Sequence, residues 1–527
     1  MARHGTDTAR LLSDAGAVLQ AGFDGTSAPD WLRRRLGAGE LGGVVLFARN
    51  VRDAAQVAAL TADLREQAGD SLLVAIDEEG GDVTRLEVER GSSYPGNHAL
   101  GSADDPRLTE QVARAIGRDL AAAGVNLNYA PVADVNANPD NPVIGVRSFG
   151  SDSALVVRHT AAYVKGLQST GVAACAKHFP GHGDTGSDSH LGLPTIDFDD
   201  ARFALHLAPF RAAVAAGAKC IMTAHILFPR YDPHLPATMS RAVLTGLLRE
   251  ELGYQGLVVT DGIDMASISA THGIAEGTVK ALSAGADAIC FGGGLYDEDA
   301  FLYLRDAVVW AAREGRLSED RLHEAAERNR EVARWSAGVW SARPDQGSFT
   351  DVPAGIGLEA ARRALRVYGE LKPLTGPAHV VEFSPQVSIA VDTSTRWGLI
   401  EPVADLLPGT TGIRVSAPTT GTESVGLMTV EVVDQDAGID VEPLLADAAG
   451  RPLVLAVRDL NRNPWMARAV DAIAARRPDS VVVELGLPYG RIDDLAARGI
   501  AVVAAHGASR VSALAAAEAL TGSRPPV

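Results

Sequence analysis

Residues 171–176 read GVAACA, and residues 177–190 continue as KHFPGHGDTGSDSH. The first part is small and apolar, which is typical of a buried strand. The second part holds three histidines, one lysine and two aspartates, interrupted by three glycines, and therefore favours a loop. Loops on rigid scaffolds are where catalytic groups concentrate. We therefore expect a strand that carries an ionisable loop at its carboxyl end.

The same succession of a short apolar run, a polar loop and a helical pattern recurs through the first half of the chain. The predicted strands lie at residues 19–23, 43–47, 72–76, 125–132, 171–176, 219–223, 256–260 and 287–291. Strands that alternate with helices form parallel βαβ units, and near-continuous apolar strands indicate a sheet covered on both faces. The sequence therefore predicts an α/β fold, a (β/α)8 TIM-like barrel with its site at the carboxyl ends of the strands. A doubly wound open sheet of eight strands is the alternative.

The length of the chain indicates more than one domain, because 527 residues are too many for one ordinary core. We place a catalytic barrel at residues 1–340, a helical linker at 341–376 and a smaller α/β sandwich domain at 377–527. Strand candidates of the second domain lie at residues 380–383, 453–457, 480–485 and 501–505. No motif in this second domain indicates its role.

Composition and charge narrow the class of function. The formal net charge is −18 and the isoelectric point is near 5.2, which argues against a nucleic acid or an anionic membrane as partner. No stretch approaches the ~20 apolar residues of a membrane span, and the N-terminus lacks the apolar core of a signal peptide. We therefore expect a cytoplasmic protein. The sequence leaves the oligomeric state open.

Five segments together resemble family 3 glycoside hydrolases, specifically their β-N-acetylglucosaminidase branch. They are LFARN at 46–50, IDEEGG at 76–81, IGVRSF at 144–149, the loop at 177–190 and VVTD at 258–261. Their order and spacing agree with the family over the first two thirds of the chain, and together they are far more specific than any one segment. The second domain resembles the α/β sandwich of longer members only in general pattern.

The resemblance implies a retaining exo-β-N-acetylglucosaminidase with Asp261 as nucleophile and an Asp188–His190 dyad as acid/base. A retaining glycosidase needs a carboxylate nucleophile and an acid/base on the two sides of the anomeric carbon. Residues i and i+2 of an extended chain point to the same side, so Asp188 can fix the imidazole tautomer of His190. The alternative for Asp261 is a helix cap, and the alternative for His190 is a surface position. We expect the neighbouring Asp264 to cap or support.

The resemblance also implies a set of sugar-binding residues: Asp77, Arg85, Arg147, Lys177 and His178. We expect Met222 and His225 to line the wall below the sugar, although core packing is an equal alternative for both. Arg147 could instead form a structural salt bridge to Asp134 or Asp152. We expect His182 and Asp184 to brace the loop at 177–190.

Two positions depart from the family pattern. Glu78 stands where glutamine often follows the aspartate, and Asp82 stands where many relatives have arginine. Because Arg85 is retained, we expect the sugar contacts to be intact. We expect Asp82 to alter what binds beyond the first sugar.

Three other functions compete with the glycosidase. A glycoside phosphorylase would use phosphate as a second ligand and give GlcNAc-1-phosphate, since a neutral histidine base does not repel a phosphate dianion. A non-catalytic sugar-binding or sensor protein would have lost Asp261 or the dyad, and both are present. A metalloenzyme is disfavoured, because the histidine and aspartate spacing matches no compact metal motif and Lys177 opposes a cation. We therefore expect no metal and no cofactor, and a small carbohydrate as substrate.

Overall fold

The computed structural model describes residues 2–186, 188–189, 192–294, 297–342, 353, 355–416, 430–432 and 439–523, without the side chains of residues 2–7 and 430–432. These residues form two sheets, each with its own hydrophobic core. Within this described part of the chain, no helix has the length and apolar character needed to cross a bilayer.

Eight parallel strands form the first sheet. They are β1 (Leu19–Ala21), β2 (Gly43–Leu46), β3 (Leu73–Ile76), β4 (Leu127–Asn128), β5 (Ala173–Phe179), β6 (Cys220–Thr223), β7 (Leu257–Thr260) and β8 (Ile289–Phe291). Their order is β7-β6-β5-β4-β3-β2-β1-β8, so β8 returns to pair with β1. A parallel bridge between Val259 and Ala288 then brings the two ends of the sheet together. The expected (β/α)8 barrel is confirmed.

Helices connect the strands and cover the outside of the barrel. They are α1 (Ala2–Ala17), α2 (Asp30–Gly37), α3 (Ala54–Ala68), α4 (Asn97–Ala103), α5 (Pro106–Ala122), α6 (Ser153–Gln168), α7 (Asp200–Ala215), α8 (Ala266–Ser269), α9 (Ile274–Ala284), α10 (Glu298–Arg313) and α11 (Glu319–Ser341). A π-helix at Ala242–Glu251 connects β6 to β7. Several helices begin after an aspartate whose side chain accepts an N–H of the first turn, which stabilises a helix start. These aspartates are Asp53, Asp105, Asp152, Asp199 and Asp297.

Alternate strand positions fill the interior of the barrel. The interior side chains include Val45, Leu73, Ala75, Leu127, Tyr129, Ala173, Cys175, Cys220, Met222, Leu257, Val259, Ala288 and Cys290. The intervening positions, such as Val74 and Ala174, pack outward against the helices. Because side chains alternate along a strand, this period decides which residue beyond each strand points into the top of the barrel.

Seven strands form the second sheet, in the order β12-β11-β10-β13-β14-β15-β9. The strands are β9 (Arg366–Tyr368), β10 (His379–Ser384), β11 (Thr411–Ser416), β12 (Val430–Val432), β13 (Leu453–Val457), β14 (Val481–Glu484) and β15 (Ala501–Ala504). All neighbours run parallel except β9, which is antiparallel to β15. Part of the range predicted as a linker, 341–376, therefore lies within this sheet.

Helices cover both faces of the second sheet, as expected for an α/β sandwich. They are α12 (Ile356–Ala364), α13 (Ile400–Leu406), α14 (Glu442–Asp447), α15 (Pro464–Arg476), α16 (Arg491–Ala497) and α17 (Arg510–Thr521). Helices α12, α13 and α17 pack on one face, and α14, α15 and α16 pack on the other.

The carboxyl end of the second sheet faces the barrel loop that follows β3. Arg458, directly after β13, donates to Oδ2 of Asp82 at 2.5 Å, and the N–H of Ala508 donates to Oδ1 of Asp82 at 2.7 Å. Further along this loop, the N–H of Arg396 donates to the carbonyl of Val88 at 2.9 Å. The second domain therefore rests on the loop between β3 and α4.

Two buried histidines meet at the same interface. His98 of α4 and His506, after β15, stack with ring centroids 5.1 Å apart and Nδ1 atoms 3.1 Å apart. Burial lowers the pKa of His98 to about 4, and burial together with His98 lowers the pKa of His506 well below its usual value. Both rings are therefore neutral near pH 7, and one Nδ1–H can donate to the other Nδ1.

The substitution Asp82→Asn tests the interface, because it keeps an acceptor for Ala508 but leaves Arg458, which is 5% exposed, without its counter-charge. Removing one partner of a buried ion pair costs about 3–5 kcal/mol, so we expect a loss of that size in the free energy of unfolding, measured by urea denaturation. The matched control is Glu442→Gln, which removes the charge from an exposed pair with Arg476. We expect this control to lose less than about 1 kcal/mol. Equal losses in the two variants would contradict the interface.

Candidate functional site

A cavity of about 410 Å³ opens at the carboxyl ends of the barrel strands. Seven of the predicted site residues line it: Asp77, Arg85, Arg147, Lys177, His178, Met222 and Asp261. Asp77, Lys177 and Asp261 extend the interior-facing series of β3, β5 and β7 by one more step of two residues. The strand pattern that builds the barrel core therefore also directs these three side chains into the cavity.

A buried cluster of opposite charges forms one wall of the cavity. Nε and Nη2 of Arg147 donate to the two carboxylate oxygens of Glu79 at 3.0 and 2.8 Å. Nζ of Lys177 lies 2.7 Å from Glu79 Oε1 and 2.6 Å from Asp77 Oδ1. Buried charges are tolerated when they are paired and hydrogen-bonded, and here two cations balance two carboxylates. Arg147 therefore does form a buried salt bridge, but its partner is Glu79 and not Asp134 or Asp152.

The charges in this cluster keep one another ionised. Burial alone would raise the pKa of the Glu79 carboxyl, but Arg147 and Lys177 together outweigh it and hold that pKa well below its usual range. Burial likewise opposes the charge of Lys177, but Asp77 and Glu79 outweigh it and raise the pKa of the ammonium. The Glu79 carboxylate, the Lys177 ammonium and the Arg147 guanidinium are therefore all charged at neutral pH.

His178 is held by a carboxylate behind the cavity. Oδ2 of Asp134 lies 2.7 Å from Nδ1 of His178, and Asp134 also accepts the backbone N–H groups of His178 and His182. Because the carboxylate accepts the Nδ1–H, the proton position on the ring is set by Asp134. Lys177 and His178 were expected to start the loop, but β5 continues through Phe179, so both are strand residues.

His182 and Asp184 brace the loop after β5, as expected. His182 is 1% exposed; its Nδ1 lies 2.9 Å from Thr185 Oγ1 and its Nε2 lies 2.9 Å from Ser189 Oγ. Burial, with a further contribution from His178, lowers the pKa of His182 to about 4. Asp184 forms an ion pair with Arg202 of α7 at 2.5 Å.

The structure describes only part of the predicted dyad. Asp188 is half-buried and directly precedes Ser189, the residue that contacts His182. His190, the predicted acid/base, lies outside the described residues.

Asp261 stands at the end of β7 with its loop fixed from two sides. Its Oδ1 accepts the N–H of Gly262 at 2.8 Å, and Nε2 of His225 donates to the carbonyl of Gly262 at 3.0 Å. Helix α8 begins only at Ala266 and its start has no side-chain cap, so Asp261 is not the cap of that helix. Asp264 supports the neighbouring loop, since its Oδ2 accepts the N–H of Gly294 at 2.7 Å.

Of the two residues predicted for the wall below the sugar, only one lines the cavity. Met222 lines the cavity. His225 was expected there as well, but it is not among the lining residues; it is 1% exposed and bound between Thr238 and the backbone of Gly262. Its two ring nitrogens are both used by these contacts, so it supports the loop of Asp261 and does not line the cavity.

The loop after β3 carries Arg85 and is fixed by Glu78. The Glu78 carboxylate accepts the backbone N–H groups of Arg85 and Leu86 at 2.8 and 2.9 Å, and burial raises its pKa to about 7. Nη2 of Arg85 donates to the carbonyl of Ala390 in the second domain at 3.0 Å. Asp82 was expected to act beyond the first sugar, but both its oxygens are bound by the second domain.

Comparison with known proteins identifies the family. Residues 24–332 match the N-terminal domain of glycosyl hydrolase family 3. The chain belongs to this family. The barrel with its polar strand ends is therefore the scaffold of a glycoside hydrolase, as the five motif segments predicted.

Individual relatives agree with this placement. The chain is 42% identical over 283 residues to beta-hexosaminidase A of Pseudoalteromonas piscicida, an alignment that covers 50% of this chain and 47% of that protein. It thus spans about half the length of that relative. It is 39% identical over 273 residues to the beta-hexosaminidase of Thiobacillus denitrificans, covering 50% of this chain and 74% of the relative.

A solved structure extends the similarity to both domains. A glycoside hydrolase family 3 beta-N-acetylglucosaminidase from a Paenibacillus species is 35% identical, with a TM-score of 0.82 over 97% of this chain and 96% of that chain. Because the alignment covers nearly the whole of both chains, the second sheet of this family 3 chain has a counterpart there as well.

Sequence reasoning missed three parts of the site: Glu79, Asp134 as partner of His178, and the segment Ile389–Ala390, which lines the cavity from the second domain. Glu79 lies two positions beyond Asp77, so the alternation of β3 could have identified it. No local signal marks Ile389 and Ala390, since only the docking of the two domains brings them to the cavity.

The substitution Glu79→Gln tests the charge cluster. The amide keeps the shape of the side chain but removes the carboxylate that pairs with Arg147 and one of the two carboxylates that pair with Lys177. Both cations then shift, and we expect kcat/KM to fall by roughly 10²-fold on an aryl β-N-acetylglucosaminide. The control is Glu89→Gln, the same chemical change at an exposed position of the same loop, which should stay within about twofold of wild type. An unchanged kcat/KM in Glu79→Gln would remove the cluster from the site.

Proposed function

We propose that this protein is a retaining exo-β-N-acetylglucosaminidase that releases terminal GlcNAc from short saccharides, such as chitobiose-like or cell-wall fragments. The observation that carries the proposal is the carboxylate of Asp261 in the same cavity as the paired charges of Asp77, Lys177 and Arg147. Family membership and the beta-hexosaminidase relatives support the class of reaction.

The chemistry of the wall suits a sugar. Each hydroxyl of a pyranose ring can both donate and accept a hydrogen bond, so it needs acceptors and donors side by side. The Asp77 carboxylate accepts, and the Lys177 ammonium and Arg147 guanidinium donate. Because Glu79 forms ion pairs with both cations, Lys177 and Arg147 are held in place before a sugar binds.

The reaction proceeds in two displacements at the anomeric carbon. Asp261 attacks this carbon and forms a glycosyl-aspartate ester as the glycosidic C–O bond breaks and an acid protonates the departing oxygen. Water then attacks the same carbon, the aspartate leaves as a carboxylate, and the proton of the water returns to the group that acted as acid. Two inversions restore the β configuration of the released GlcNAc.

We assign the acid/base to His190 with Asp188 as its partner. The unperturbed pKa of histidine, near 6.5, suits proton transfer in both directions close to neutral pH. The hydrogen bond between His182 and Ser189 supports this assignment, since it anchors the residue that stands between the two members of the dyad.

The identity of the product decides between hydrolysis and phosphorolysis. Incubation of the protein with an aryl β-N-acetylglucosaminide, whose leaving group is not itself GlcNAc, in phosphate buffer, followed by mass spectrometry, should give free GlcNAc as the main sugar product. GlcNAc-1-phosphate as the main product would contradict the hydrolase and establish a phosphorylase. Absence of both, with bound sugar, would contradict an enzyme and favour a sugar-binding protein.

The substitution Asp261→Asn tests the nucleophile, with Asp264→Asn as the matched control in the same cavity. We expect Asp261→Asn to lower kcat/KM on an aryl β-N-acetylglucosaminide by roughly 10⁴-fold or more, since removal of single members of a catalytic unit costs about 10⁴- to 10⁶-fold. Asp264→Asn keeps an acceptor for Gly294 and should lose less than about tenfold.

Azide rescue identifies the nucleophile independently of the size of these losses. In Asp261→Ala, azide can occupy the space of the carboxylate and attack the anomeric carbon from the same face, which gives an α-glycosyl azide. Rescue of Asp264→Ala instead of Asp261→Ala would transfer the nucleophile to Asp264.

A further inference from the structure

One exposed apolar side chain of the second domain lies at the cavity of the barrel. Ile389 is 62% exposed and still lines the cavity, next to Ala390. Covering a large apolar side chain that is exposed to water lowers the free energy of the system. Its position at a sugar cavity indicates what could cover it.

The segment that carries Ile389 is held in place at several points. Between the end of β10 at Ser384 and the start of α13 at Ile400, the backbone N–H of Ala390 donates to Ser388 Oγ at 3.3 Å. The N–H of Val391 donates to the carbonyl of Ser388 at 2.9 Å.

Barrel residues hold the same segment from the other side. Arg85 donates to the carbonyl of Ala390, the residue directly after Ile389, and the carbonyl of Val88 accepts the N–H of Arg396. The isoleucine is therefore presented to the cavity by a segment anchored to both domains, so its placement needs no rearrangement when a ligand arrives.

The barrel and the second domain contribute different chemistry to the cavity wall. Asp77, Glu79 and Lys177 form a charged end of the barrel wall, beside apolar barrel side chains such as Met222, while Ile389 and Ala390 supply apolar surface from the second domain. A pyranose ring has hydroxyls around its edge and C–H groups on its faces. The charged end therefore suits the edge of the sugar that is cleaved, and the exposed isoleucine suits the face of a ring that follows it.

We propose that Ile389 forms an apolar platform for the sugar on the leaving-group side of the scissile bond, so that the second domain determines preference for the aglycone. This inference rests on the proposed glycosidase activity. It also gives the second domain a direct part in binding substrate, in addition to its support of Arg85.

The test compares a ligand that reaches Ile389 with one that does not. Ile389→Ser should lower kcat/KM for N,N′-diacetylchitobiose about tenfold, which equals about 1.4 kcal/mol. The inhibition constant of free GlcNAc should stay within about twofold, because this sugar binds only at the charged end. The separate variant Ile389→Leu keeps the apolar surface, so its kcat/KM for the disaccharide should stay near that of wild type. The matched control is Leu205→Ser, the same kind of change at an exposed position on α7 that does not line the cavity.

The results of this test distinguish a failure of the apolar platform from a failure of the proposed glycosidase function. No release of GlcNAc by the wild-type protein would overturn both. Release by wild type with an unchanged kcat/KM for the disaccharide in Ile389→Ser would overturn the platform alone. An equal loss of disaccharide turnover and GlcNAc inhibition would also overturn it, because the substitution would then act through Arg85 and the first sugar.

Discussion

The geometry of the site depends on the two ion pairs that the buried carboxylate of Glu79 forms with Arg147 and Lys177. This carboxylate joins three segments of the barrel that are far apart in sequence: the loop after β3, the end of β5 through Lys177, and the loop after β4 through Arg147. The three residues are almost fully buried, so each charge would be costly without the others. Because Asp77 completes the balance of charge, the cavity gains rigid hydrogen-bond donors and acceptors that are in place before the substrate arrives.

The second domain also helps to position the site, because it binds the barrel loop that follows β3. Its strand ends bind Asp82, and its segment at Ile389–Ala390 holds Arg85, so the loop after β3 is fixed on one side by Glu78 and on the other by the second domain. One barrel loop thus links the charge cluster to domain docking. The interface therefore helps to fix the position of Arg85 in the cavity.

The barrel could be predicted from the sequence because its strands are apolar and regularly spaced, and the motif residues could be placed because they follow these strands. Long-range partners could not be predicted: Asp77 and Lys177 are 100 residues apart, and Arg85 and Ala390 are 305 residues apart. Strands β9 and β11 were missed because most of their residues are not buried, so they lack an apolar run. Lys177 was assigned to a loop because a charged strand residue is tolerated only when partners such as Glu79 neutralise it.

A crystal structure of the protein with GlcNAc bound would test the assignment of the barrel cavity as the sugar site most directly. We predict the sugar in the barrel cavity, with hydroxyls within hydrogen-bond distance of Asp77, Lys177 and Arg147 and with the anomeric carbon turned toward Asp261. A sugar bound elsewhere, or one in the cavity whose anomeric carbon faces away from Asp261, would contradict this assignment.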